Sequence, residues 1–261
     1  MKLFCREYGE PRNEPPFLFL HGLFGSSANW RGIARRFEAR YHILVPDLRN
    51  HGKSPHASDV AYAAQAADVV ELLDRHGIDR AVMIGHSMGG KVAMQTALSE
   101  ADRVAALVCV DIAPVDYPED RFGPVFEGLA AVQPSTLESR RQADDRLARY
   151  LDARPLRSYL LQNLVKEDDG WRWRINVAAL ERGMPALSAF SANGDASYLG
   201  DSLFVYGGNS PYVRPEHGAL IRERFPYARL RQIAGAGHWV YADQPSAFSD
   251  TLEAFVKTHA D

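Results

Sequence analysis

Short apolar runs alternate with stretches of helical period along most of this chain, and that alternation limits the fold more than any other feature. Residues 17–20, 41–45, 81–85, 104–110, 203–206 and 230–233 read as strands. In residues 17–20 both faces are apolar, as in a strand buried on both sides. Between them, residues 28–39, 88–99 and 216–224 read as helices. A further helix runs from a cap at Asp59 to Arg75, and a last one from about 245 to 259. Strand–helix alternation implies right-handed crossovers and a mostly parallel sheet with helices on both faces.

The rhythm breaks once. Residues 113–201 show helical patterns and no strong apolar strand. They read as a helical cap inserted into a core made of residues 1–112 and 202–261. Ligands of such sheets bind at the carboxyl ends of the strands, the edge from which the insertion departs. It is therefore placed to cover a site. Phe122, Phe126 and Trp173 are its candidate wall residues, and the same side chains would serve equally as the insertion's own core. Of its ten arginines, a few at the mouth would meet an anionic substrate, and most are solvated helix faces.

Composition narrows the function. Thirty Lys plus Arg against 33 Asp plus Glu give a net charge of −3. This argues against a nucleic-acid partner, whose phosphates call for a basic surface. Cys5 and Cys109 are too few for a disulfide framework or a zinc site, so no metal is expected. No run approaches a membrane span, and no secretory leader is read in the first ten residues. The expected setting is a reducing cytoplasm; oligomeric state is left open.

The chemistry-bearing motif is Gly85-His86-Ser87-Met88-Gly89-Gly90, between a strand and a helix. A serine on such a sharp turn presents its hydroxyl above the sheet edge. The amide of Met88 then opens a helix, where negative charge is favoured. A second oxyanion donor is expected from the loop His21-Gly22-Leu23-Phe24-Gly25, with Leu23 the candidate. His21 reads as a loop brace. His238, in Gly235-Ala236-Gly237-His238-Trp239 after the last strand, is the candidate base, because an imidazole titrates near neutrality. Phe24, His86 and Trp239 are further candidate wall residues from these loops. Asp111 ends the strand after the nucleophile strand, from which its carboxylate would reach the histidine. Its alternative role is to cap the following turn. Asp243 follows His238 too closely to face its imidazole.

Taken in order, HGLFG, DLRNHGKS, GHSMGG and GAGHWV resemble the α/β-hydrolase superfamily over nearly the whole chain. More closely, GHSMGGK, VDIAPVDY and GGNSPYV look like the small bacterial YbfF-type esterases, related to the mitochondrial ABHD-type hydrolases. The resemblance implies a parallel sheet, a helical cap and hydrolysis of a small-molecule ester or thioester without a cofactor. Most relatives carry the triad acid after the strand corresponding to 203–206. This chain has Gly207-Gly208-Asn209-Ser210 there, with no carboxylate. The YbfF-type resemblance supports Asp111 as the acid and implies that Ser210 joins the histidine's hydrogen-bond network. It also reads Asp47, Arg49, Gly52 and Ser54 as a structural turn. A cofactor-free perhydrolase or a C–C bond hydrolase would use the same triad, and a non-catalytic binding module is the reading from another class.

Overall fold

The computed structural model describes residues 1–118, 120–168, 170–190 and 196–257. The sheet strands are β1 (Cys5–Tyr8), β2 (Phe17–Leu20), β3 (Ile43–Pro46), β4 (Ala81–His86), β5 (Val104–Val110), β8 (Ser202–Gly207) and β9 (Ala228–Ile233). They lie in the order β1-β3-β2-β4-β5-β8-β9. Every neighbouring pair is parallel except β1 with β3. The chain is thus an α/β protein with a seven-stranded, mostly parallel sheet.

Period-two alternation divides the core into two layers. From β2, Phe17 and Phe19 join Ile33 and Phe37 of α1 (Arg31–Phe37) and Phe248 and Leu252 of α11 (Pro245–Lys257) on one face. Leu18 and Leu20 join Val69 and Leu72 of α2 (Tyr62–Arg75) and Val92 of α3 (Met88–Ser99) on the other. Fully burying one such side chain stabilises the fold by roughly 1.5–3 kcal/mol, so both faces must stay covered.

Strand order places the site. After β2 the chain moves outward to β3, then returns to β4 on the opposite side of β2. The loops that leave β2 and β4 therefore diverge, and a crevice opens between them. These two loops carry His21–Gly25 and Ser87.

Between β5 and β8 lie α4 (Gly123–Ala131), α5 (Arg140–Leu147), α6 (Arg154–Leu161), α7 (Val177–Arg182) and α8 (Met184–Ser188). An antiparallel hairpin, β6 (Leu164–Glu167) with β7 (Gly170–Trp173), interrupts them. The sequence reading of this stretch, in which helical patterns prevail without a strong apolar strand, misses that hairpin. After β8 follow α9 (His217–Arg224), β9 and α10 (Val240–Asp243).

Other boundaries also differ. The helix expected at 28–39 is a 3-10 turn over Ser27–Trp30 followed by α1. Asp59 does not cap α2: the cap position is Ala61, and the Asp59 carboxylate accepts the Ala61 amide before the helix begins (2.9 Å). The last helix is described to Lys257, and 258–259 lie outside the described residues. Among the described residues no helix is long and apolar enough to cross a membrane.

Candidate active site

Tight backbone packing creates the serine turn. Ser87 has φ 52° and ψ −118°, a conformation that costs an ordinary residue about 1–3 kcal/mol. A Cβ on Gly85 would fall 2.2 Å from the Gly89 carbonyl oxygen, and one on Gly89 would fall 2.5 Å from that of Leu20. Only glycine fits either position. Ser87 donates its backbone N–H to Val110 (3.0 Å), which ties the turn to the end of β5. The Ser87 side chain is half-buried and makes no hydrogen bond among the described residues.

The β2 loop is held against this turn. A Cβ on Gly22 would lie 3.3 Å from the Ser87 Cβ. His21 Nδ1 donates to Gly22 O (2.9 Å), while its Nε2 accepts from Leu48 N (2.9 Å). His51 Nδ1 donates to Arg49 O (2.8 Å), and its Nε2 accepts from Phe24 N (3.1 Å). Burial lowers both imidazoles, His51 to about 3, which keeps them neutral and able to accept. The Asp47 carboxylate fixes the next turn through the amides of Ser27 (2.6 Å) and Lys53 (2.8 Å). Arg49 anchors it to Asp68 (2.7 Å). Consequently Phe24's amide is used, whereas those of Leu23 and Met88 donate to no group among the described residues.

Asp111 sits at the end of β5, fully buried and also at positive φ (52°). Its Oδ1 accepts from Gly207 N (3.0 Å). Its Oδ2 accepts from both Ser210 Oγ and His238 Nδ1, the latter at 2.7 Å. A proton on Nδ1 leaves Nε2 as the free base nitrogen. Ser210 thus reaches the imidazole through the carboxylate, not directly. Asp243 instead accepts from Gly237 N (2.8 Å) and braces the histidine loop.

Rings clamp the imidazole. Tyr212 stacks on His238 at 3.9 Å between centroids and 16° between planes. The guanidinium of Arg121 lies over the other ring of this stack, 4.4 Å from the Tyr212 centroid. His86 donates through Nε2 to the backbone carbonyl of His238 (2.9 Å), and burial holds its own imidazole well below the ordinary range. His86 therefore positions the loop as well as lining the site.

Two cavities meet at Ser87. The larger, about 820 Å³, is walled by Phe24, His86, His238, Trp239, Phe122 and Tyr159 among others. The smaller, about 390 Å³, runs under the inserted segment past Tyr62, Lys91, Tyr117, Leu187 and Ser188. Leu23, Phe122, Arg121 and Tyr212 border both. Two expected wall residues lie elsewhere. Phe126 packs edge-on against Phe24 (5.6 Å) and is buried, and it borders an outer groove instead. Trp173 borders another outer groove with Leu129 and Val177. Both serve the insertion's own packing. Missed by the sequence reading were Tyr62, Tyr117 and Tyr212 from three separate segments. Lys91, a cation amid the apolar residues of α3, was the one legible signal.

Among the described residues no cluster of His, Cys, Asp and Glu could hold a metal ion. The arrangement provides a strained hydroxyl, a base with one nitrogen fixed to a buried carboxylate, and two uncommitted amides.

Known proteins resemble this chain over its length. A family model described as alpha/beta hydrolase fold matches residues 15–245. The mouse (Mus musculus) sn-1-specific diacylglycerol lipase ABHD11 is 39% identical over 249 residues, covering 93% of this chain and 81% of that protein. Esterase YbfF of Escherichia coli K12 is 40% identical over 244 residues, 94% of each chain. A solved structure titled marine microorganism esterase superposes with TM-score 0.94 at 35% identity, covering 97% of this chain and 99% of that one.

Proposed function

This chain belongs to the alpha/beta hydrolase fold family, and from that premise we propose that it is a serine hydrolase of carboxylic esters or thioesters acting through an acyl-enzyme on Ser87. The observation that carries the reading is the 2.7 Å bond from His238 Nδ1 to the buried Asp111 carboxylate, with His238 and Ser87 on one cavity wall. The resemblance to esterases in sequence and structure supports it.

His238 Nε2 takes the Ser87 proton as Oγ attacks the carbonyl carbon. The two groups line one cavity, and such a contact commonly tightens when substrate binds. The amides of Leu23 and Met88 receive the oxyanion, and each such donor contributes about 3–4 kcal/mol. Asp111 stabilises the imidazolium that forms. His238 then protonates the leaving alcohol or thiol, and a water activated by the same nitrogen releases the acid. No metal or organic cofactor takes part in these steps.

This proton path assigns the two cavities. The leaving group must lie within reach of His238, so it occupies the larger cavity, which His238 lines. The acyl group takes the smaller one, which His238 does not line. Residues 113–201 act as the cap that closes both, over a core of 1–112 and 202–261. Cys5 and Cys109 are both free, which supports a reducing, cytoplasmic setting.

The test is a fluorophosphonate probe combined with an ester panel. Phosphonylation of Ser87 with turnover of esters or thioesters is expected. Cleavage of a diketone in preference to every ester would assign a C–C hydrolase. No adduct and no turnover would leave the binding-module reading.

A further inference from the structure

The smaller cavity does not end as an acyl pocket for plain hydrocarbon should. Lys91 lies in the first turn of α3, where its amide donates to the Ser87 carbonyl (3.1 Å), and lines this cavity. Its side chain is 2% exposed. The ammonium donates to the carbonyls of Ser188 (2.7 Å) and Ala189 (3.0 Å) at the end of α8. An ammonium carries three protons, so these two acceptors leave one unassigned. Among the described residues no carboxylate forms an ion pair with it, and Asp116 acts only at longer range. The ring of Tyr117 lies beneath it, 4.9 Å from the nitrogen. Ser188 lines the same cavity, and its buried Oγ has no hydrogen-bond partner among the described residues.

Clamping α8 to α3 accounts for two Lys91 protons. The third has the ring faces of Tyr117, Tyr62 and Phe190 within 6.0 Å but no oxygen acceptor among the described residues, and the Ser188 hydroxyl has no partner there. A buried polar group without a partner is costly, and both groups border space that the hydrolase reading gives to the acyl chain. Resting on that reading, we propose that Lys91 and Ser188 form an oxygen-recognising end to the acyl cavity. The favoured substrates are then esters of short acids bearing a hydrogen-bond acceptor near the far end of the acyl chain. An acceptor there satisfies both groups, whereas a methyl end buries them unpaired. Burial, only partly offset by Asp116, lowers the Lys91 ammonium to about 7. The third proton is therefore fully held only below that pH, and the esters are compared at pH 6, where the ammonium form prevails.

The experiment compares three benzyl esters with one leaving group: pentanoate, 4-oxopentanoate and hydrogen succinate. Benzyl alcohol release is measured in wild type, Lys91→Met and Ser188→Ala. Wild type is expected to favour at least one oxygenated ester over pentanoate by about tenfold or more in kcat/KM, the discrimination of one well-made hydrogen bond to a charged donor. A preference for 4-oxopentanoate identifies a neutral acceptor, and one for hydrogen succinate an anionic one. In Lys91→Met the ratio should fall to within about twofold of unity, with a smaller fall in Ser188→Ala. Each ratio is taken within one protein preparation, so a loss of folded fraction cancels. A wild type that favours pentanoate, or a Lys91→Met variant that keeps the wild-type ratio, overturns the proposal. If no ester turns over and Ser87 takes no fluorophosphonate, the hydrolase reading fails and this inference with it. Turnover without an oxygen preference overturns this inference alone.

Discussion

The ends of β5 and β8 lie side by side in the sheet and serve the same histidine with different chemistry, one directly and one through the other. β5 ends on Asp111, fully buried and at positive φ. β8 ends on Gly207, followed by exposed Gly208 and Asn209 and half-buried Ser210. The second end completes the first. Gly207 N and Ser210 Oγ both donate to the Asp111 carboxylate, and Asp111 N donates to Val205 O of β8 (2.8 Å). One strand end thus supplies the charge and the other supplies the dipoles that hold it. What this teaches is that the position of a triad acid is set by reach to the imidazole. Adjacent parallel strands end at nearly the same height, so either can deliver the carboxylate, provided its neighbour solvates it.

The comparison can be broken in graded ways. Removing the nucleophile, Ser87→Ala, is expected to lower kcat by about 10⁴–10⁶, measured as ester turnover under saturating substrate. Asp111→Asn keeps the shape of the β5 end and removes its charge, and kcat should fall by a hundredfold to about 10⁴. An exchange sharpens the point. In Asp111→Ser combined with Ser210→Asp, the carboxylate moves to the β8 end. Turnover should recover by about tenfold over Asp111→Ser alone, a gain of about 1.4 kcal/mol. No recovery would show that only β5 places the charge correctly. Ser210→Ala removes one donor to the carboxylate and should cost about three- to tenfold, from the net strength of one such hydrogen bond. Trp173→Ala, in the outer groove, should change kcat/KM by less than about twofold, which thermal unfolding would separate from any loss of stability.

Legibility in the sequence followed burial. Strands buried on both faces, such as β2 and β5, announced themselves as unbroken apolar runs. Strand β1 did not: its residues, CREY, are half-exposed at the sheet edge, and only pairing with β3 makes them a strand. The β6–β7 hairpin carries Lys166, Glu167 and Arg172 among its apolar positions, so no simple run marked it. In the site, Ser87 and His238 were readable because each needs glycines at fixed offsets. Asp111 was readable as the last residue of a buried strand, and its partnership with Ser210 came from resemblance. The walls were not readable. Phe122 lies in the turn before α4 and faces the cavities, whereas Phe126 lies within the helix and packs on Phe24. Period read across both positions hides the helix boundary between them, and with it the difference between wall and core.

The division of labour between the two strand ends rests on whether the β5 carboxylate empowers His238 toward Ser87. The rate at which a fluorophosphonate phosphonylates the chain, with the modified peptide identified by mass, measures that power without assuming a natural substrate. We predict a single adduct on Ser87 in the wild type, formed at least a hundredfold more slowly in Asp111→Asn. An adduct on another residue, or equal rates in the two proteins, would contradict the account.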